Sequence, residues 1–350
     1  MTQARRLDEQ NSETAGTPAP PDGHKGLRLR ASAGGLVIPA AIIAGISAIE
    51  TARTESTAQR EVFFNIDLAW LMYFVFAVSM AVIFGALVQR IRIWRLGTKE
   101  WKVTDNIGAR ITNALTMGAA TSRVKNDRYA GVMHWCIYSS FVVLTIVTIL
   151  LALDDYLPLI FHSDADHAFL KGGVYLVYSF VGDLFGVIGL VGIGMAVYRR
   201  YIKPPKKISW DKRPTEDAIV VGLLGVVLFT GIIVEGLRLA GDEIPNGHES
   251  WSKWSPAGYL VAKIIGSDNA STILDVHVGF WWFHVVSAFT LLTLMAMTKF
   301  RHIAFAPANA FFKRPGAGQA YLAPMGDFEK IMEEGGSLGA SKLQDFSWKQ

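Results

Sequence analysis

Across 350 residues there is one cysteine, Cys136. That scarcity excludes a disulfide framework, a cysteine-ligated zinc site and any cysteine-ligated iron–sulfur cluster held by this chain alone. Charge is scarce too: 18% of residues are Asp, Glu, Lys or Arg against 51% hydrophobic, and the mean hydropathy is +0.29. Such a chain is suited to lipid rather than to water. No secretory signal is expected either. The first apolar run begins near residue 34, behind a polar segment (DEQNSETAGTPAPPDG) whose composition favours disorder. Residues 1–33 are therefore expected to form a disordered cytoplasmic tail.

What is present is a series of long apolar stretches, at about 34–50, 66–90, 129–153, 169–198, 217–240 and 276–300. A hydrocarbon core of about 30 Å needs about 20 helical residues at 1.5 Å each. The first stretch is the shortest, contains Pro39 and ends at Glu50. The fold class predicted is all-α, an integral membrane helical bundle of about six transmembrane helices, with 34–302 as the membrane domain.

Loop charge gives an orientation. Residues 90–128 hold nine Lys or Arg and 199–213 hold seven, whereas 154–168 holds none and 241–275 only Lys253 and Lys263. Lys and Arg concentrate in cytoplasmic loops, so the first two loops and both termini are expected to be cytoplasmic, in a multi-pass protein of the cytoplasmic membrane. The net charge of +4 is thereby explained with no nucleic acid as partner. Trp251, Trp254, Trp281 and Trp282 cluster at the opposite ends of the fifth and sixth spans, as interfacial rings do. Residues 104–122 and 254–266 have helical apolar spacing and are expected to lie along the two surfaces. The tail from 303 to 350, interrupted by Pro307, Pro315 and Pro324, is too small for a core of its own and reads as a docking tail or linker.

The histidines carry the chemistry. His134 falls near the cytoplasmic end of the third span, His284 about eight residues into the sixth from its outer end, and His302 at that helix's cytoplasmic exit. His284 and His302 are 18 apart, five helical turns, so on one continuous helix they share a face about 27 Å apart along the axis. Haem iron takes neutral imidazole as an axial ligand, and helices can clamp a porphyrin between them. His134 and His302 pair by depth as two ligands of one b-type haem. His284 is the candidate ligand of a second, but the residue ten positions beyond His134 is Leu144, so a five-coordinate haem, a loop ligand from His162 or His167, or no second haem all stay open. Hydrogen bonding between helices is the plainer role for each intramembrane histidine, and a basic surface cluster the plainer one for His302.

Asp183, mid-span, would be costly as an isolated charge, which leaves neutrality, proton uptake or a haem-adjacent partner. Glu235 and Arg238, at i and i+3, read as an ion pair. Lys171 begins the fourth span beside the acidic connection; it either donates to a quinone carbonyl or snorkels to the interface. Buried Asp183, Glu235 and His284 also suit a proton-coupled transporter or channel, and a cofactor-free anchor would need none of the histidines.

The segments GVMHWCIYSSFVVL (131–144), GDLFGVIGLVGIG (182–194), KFRHIAFAPANAFFKR (299–314) and SKLQDFSWKQ (341–350) carry a resemblance to known proteins. The last five spans, 66–302, resemble the gamma subunit of respiratory nitrate reductase, a five-helix b-haem subunit whose fifth helix has two histidines 18 apart. The likeness is closer to the membrane domain of heterodisulfide-reductase-like iron–sulfur oxidoreductases, including those that pass electrons from electron-transfer flavoprotein to quinone. The resemblance implies one or two b haems on His134, His302 and His284, quinone as substrate, a quinone-site lysine near Lys171, and a cytoplasmic iron–sulfur or flavoprotein partner. Two departures stand out. Leu144 stands where the nitrate reductase subunit has a second histidine, and the cysteine-ligated clusters that follow the D-F-x-W-K motif in many relatives are expected on a separate polypeptide or beyond Gln350.

Overall fold

The computed structural model describes residues 58–97, 106–119, 127–162, 169–204, 214–266 and 269–313, with Glu329 and Glu333. The expected tail 1–33, the expected span 34–50 and the 341–350 motif lie outside the described residues. Every described element is helical: α1 (Ala69–Trp94), α2 (Ile107–Asn113, prolonged as a π-helix to Ala119), α3 (Arg128–Ile160), α4 (Gly172–Val197, prolonged as a π-helix to Ile202) and α5 (Pro214–Arg238, then π-helical over Leu239–Glu243) come first. A short α6 (Glu249–Ser252), α7 (Pro256–Ile265), α8 (Ala270–Met297) and α9 (His302–Phe311) follow.

Five of these, α1, α3, α4, α5 and α8, are long and apolar enough to cross a membrane. Their large apolar side chains point outward: Phe74, Phe84, Leu159 and Ile202 are all well exposed. Such surfaces would aggregate in water and are the ordinary exterior in lipid. Packing between spans rests on small residues. A Cβ placed on Gly192 of α4 would lie 2.8 Å from Cys136 Cβ and 3.0 Å from the Ile137 backbone nitrogen of α3, so only glycine permits this approach. Gly236 of α5 meets Val261 of α7 still more closely, at 2.5 Å from its Cγ1. The most extensive packing is α3 on α4, then α5 on α8. The main apolar cluster (Ile193, Leu224, Leu228, Leu291) sits where α4, α5 and α8 converge.

Two sequence expectations change. α8 starts at Ala270 because the polar stretch ASTILD forms its first turn, so His284 stands fourteen residues in, near the middle of the helix rather than near its outer end. The helix also does not run through to His302. It ends at Met297, and Thr298 adopts extended backbone (φ −101°, ψ −172°) with its hydroxyl bonded back to Leu294 O at 2.7 Å. A single 3₁₀ turn, Lys299–Arg301, leads into α9, whose first residue is His302. The five-turn argument for a shared face therefore does not apply.

The junction is held by other elements. Glu216 at the start of α5 accepts the Lys299 backbone N–H at 2.9 Å, and Asp217 pairs with Lys299 Nζ at 2.8 Å and with Arg200 at 2.8 Å. The far end of α9 is held by Arg110 of α2, which is 1% exposed and donates through Nη1 to the carbonyls of Phe311 and Lys313, each at 3.2 Å. A guanidinium on the last carbonyls satisfies acceptors that the helix cannot. The first nine residues of the expected docking tail, 303–311, thus belong to a helix packed on α2 and its π-helical extension.

Candidate functional site

His134 lies six residues into α3, half-buried, with its ring stacked near Tyr138 (centroids 6.0 Å apart). Its buried Nδ1 has no hydrogen-bond partner among the described residues. His302 is exposed, at the first position of α9, a helix that packs on α2 and its π-helical extension. His302 Nδ1 lies 2.7 Å from Lys299 O. A carbonyl can only accept, so Nδ1 carries the proton and the Nε2 lone pair is left unoccupied by this bond. An open depression lined by Lys299, Arg301, His302, Phe305, Ala306 and Asn309 adjoins it.

His284 shows the same arrangement in the middle of the bundle. Thr230 Oγ1 of α5 is 2.7 Å from Val226 O and 3.0 Å from His284 Nδ1. The one hydroxyl proton goes to the carbonyl, so the oxygen accepts from Nδ1–H and Nε2 again keeps its lone pair. The ring fits against Gly231, where a Cβ would lie 3.2 Å from Cε1. Imidazoles that bind metal are oriented in this way, with the second nitrogen donating to an oxygen. Leu144 packs against the apolar cluster around Leu228 and Leu291 and offers no ligand. His134 near the start of α3, His302 at the start of α9 and His284 in the middle of α8 are thus imidazoles of the type that haem iron takes as axial ligand.

Asp183 is held by backbone amides of a neighbouring helix. Its two oxygens accept the backbone N–H groups of Ala257 (2.7 Å) and Gly258 (3.0 Å), in the first turn of α7. A carboxylate from α4 thus caps α7, at the end where a helix is electropositive. Lys171 is exposed at the N-cap of α4, with no side-chain partner among the described residues. His162 is exposed beyond α3, and His167 lies outside the described residues.

The ion pair of Glu235 and Arg238 is present at 2.9 Å, within a larger buried cluster at the end of the bundle away from His302. Arg238 is 1% exposed and also contacts Glu243 (2.9 Å), Asp242 (3.9 Å) and the Tyr175 hydroxyl (3.1 Å). Tyr175 and Ser252 donate to Glu243, and Ser255 donates to Glu235. Arg60, in the segment before α1, pairs with Glu235 at 3.4 Å. Sequence reasoning missed Thr230, Arg110, Arg60 and Glu243. Each meets its partner either from a distant segment or, for Glu243, five residues after Arg238, a spacing that an α-helix does not bring together but a π-helical turn does.

Comparison with known proteins returns the family resembled above. Residues 162–317 match the family model described as nitrate reductase gamma subunit, a range that includes His284 and His302 and starts after His134. The chain is 27% identical over 291 residues to the "EtfAB:quinone oxidoreductase" of Syntrophomonas wolfei, covering 81% of this chain and 38% of that protein. It is 24% identical over 285 residues to the "Probable iron-sulfur-binding oxidoreductase FadF" of Bacillus subtilis, covering 80% of this chain and 37% of that one. The chain therefore spans less than two fifths of the length of these relatives. No solved structure matches it.

Proposed function

We propose that the chain is a cytochrome b-type membrane subunit or domain that relays electrons between membrane quinone and a soluble iron–sulfur or flavoprotein partner at its His302 end. His134 and His302 are assigned as the axial ligands of one b haem, and His284 as a ligand of a second. The observation that carries the reading is shared by two histidines: His302 and His284 each commit Nδ1–H to an oxygen and keep Nε2 as a lone pair. When bound, a b haem supplies reversible one-electron chemistry.

The protein's own residues set the geometry. The Lys299 carbonyl and the Thr230 hydroxyl fix ring orientation, as second-sphere acceptors do. Glu216 and Asp217 hold the junction at Thr298 that leads into His302, and Arg110 holds the other end of α9. With loops 90–128 and 199–213 basic, the His302 end is assigned to the cytoplasm, where α9 and the residues after it would meet the partner. Lys171 remains a candidate quinone contact at the opposite end, and Asp183 acts there by fixing α7.

A dithionite-reduced minus oxidised spectrum with a pyridine haemochrome assay tests the reading. A b-type spectrum that loses its low-spin component in both His134→Ala and His302→Ala is the expected result. Haem-free protein from cells supplied with haem would refute the relay.

A further inference from the structure

The connection between α5 and α8 does not stay at the surface position that its helical spacing predicts. Two spans give its depth independently. Asp183 is the twelfth residue of α4, eight beyond Tyr175, so it lies about 12 Å farther from the start of that helix. Glu235 stands eight residues before Glu243 on α5 and its π-helical extension, and Tyr175 donates to Glu243, which puts the two spans in register. Against these marks the chain descends. Ser252 donates to Glu243 at 2.8 Å, Ser255 to Glu235 at 3.2 Å, and the Ala257 and Gly258 amides to Asp183. α7 then returns: Val261 lies on Gly236, and Ala262 packs with Leu239, Ala240 and Ile273, near the start of α8.

A segment at that depth needs its backbone groups satisfied without water. The Asp183 carboxylate takes two free amides at the start of α7, Tyr259 N–H reaches Ser255 O at 2.7 Å, and Gly266, at φ +76°, closes the other end on Ala262 O at 2.9 Å. Lys263 is the only charged residue of α7. Its Nζ runs 2.6 Å to Glu249 of α6, the short helix that ends at Ser252, as a snorkelling lysine does. Gly258 and Ala262, four apart, are buried, with Gly258 against Glu235 of α5; Leu260 (61% exposed) and Ile264 (76%), also four apart, form a ridge on the opposite side. α7 packs on α4 and α5, two of the five apolar spans, whose own exposed side chains include Val187 and Phe229. The ridge continues that apolar exterior.

We propose that residues 252–266 form a re-entrant element held inside the bilayer by Asp183, with the ridge of Leu260 and Ile264 set against lipid acyl chains of the leaflet at that end. Asp183 is thereby a positioning residue, a mid-span carboxylate that anchors an immersed helix.

The test places a nitroxide on single cysteines of the whole protein, in a Cys136→Ala background, in phosphatidylcholine nanodiscs. Collision with oxygen, which concentrates among acyl chains, is compared with collision with a water-soluble nickel chelate. Labels at Leu260→Cys and Ile264→Cys should favour oxygen as strongly as Phe84→Cys does on the exposed face of α1, whereas Lys253→Cys, at the end of α6, should favour nickel. Preference for nickel on the ridge would place it in water, open to a soluble protein, and shielding from both reagents would mean that a second copy covers it; either result overturns the proposal. In Asp183→Ala, deuterium exchange of the Ala257 and Gly258 amides should be at least about tenfold faster, the size of one charge-assisted hydrogen bond, and the Leu260 label should shift toward nickel. Asp183→Asn, which keeps one acceptor oxygen, should fall between the two. Unchanged exchange and depth in both variants would overturn Asp183 as the anchor. If Asp183→Ala does not fold, Asp183→Asn and the labels on the parent decide. Neither readout depends on haem, so failure of the relay and failure of this proposal are separable.

Discussion

The two ends of the bundle are built on opposite plans. At the His302 end the histidine is exposed, the helix is broken at Thr298, and the pieces are fastened from outside by carboxylates of α5 and by Arg110. At the other end two arginines, two glutamates, a tyrosine and two serines form one enclosed cluster under α7. Access governs the first, and exclusion of water governs the second. The same residue type shows the difference: Arg110 and Arg238 are equally buried, but Arg110 holds neutral carbonyls whereas Arg238 holds charges that cannot be left alone.

Removing Arg238 should therefore produce the larger effect. Arg238→Leu strips Glu243 of its cation and leaves Glu235 with Arg60 alone, and breaking a buried pair in this way costs about 3–5 kcal/mol. Thermal unfolding in detergent should show it as a marked fall in Tm; a Tm unchanged in Arg238→Leu would erase the contrast between the two ends.

Arg110→Gln should cost less, about 1–3 kcal/mol, because the Phe311 and Lys313 acceptors it leaves short of a donor are neutral carbonyls. Its signature is local. Trypsin should cut after Arg301 or Lys313 sooner than in the parent, while unfolding of the five spans moves little. Equal cutting rates would show that α9 does not depend on this clamp.

The smallest effect belongs to the exposed pair of Asp127 and Arg199, 2.6 Å apart. The guanidinium, with the Ala130 N–H, holds the Asp127 carboxyl near a pKa of about 2, below its ordinary 3.8. A depressed carboxylate pKa contributes stability above the ordinary value and loses it as pH falls through the lowered one. A slight loss of stability between about pH 4 and pH 2 is expected, and it should be absent in Asp127→Asn. An identical acid limb in the two proteins would show that the pair contributes nothing to α3.

Five spans were legible in the sequence because apolar length alone decides them. What was not legible depended on groups remote in sequence. Thr230 lies 54 positions from His284, and nothing in the local pattern of α5 marks it as a partner. The break before His302 was hidden because Thr298-Lys-Phe-Arg reads as an ordinary basic helix exit; its cause is the docking of Lys299 on Glu216 and Asp217, 80 or so residues earlier. Asp183 was visible as an anomaly, but its backbone partners in α7 were not, since backbone amides leave no trace in the residue pattern.

The π-helical stretch Leu239–Glu243 makes α5 a matter of phase as well as of composition. An α-helix turns about 100° per residue, so five steps from Arg238 would carry Glu243 to a different side; the wider turn returns it to the arginine. The cluster is thus keyed to the number of residues between its members. A variant that kept every charged side chain but shortened this stretch by one would have the right parts in the wrong rotation, with Glu243 facing away from the cation it is there to meet.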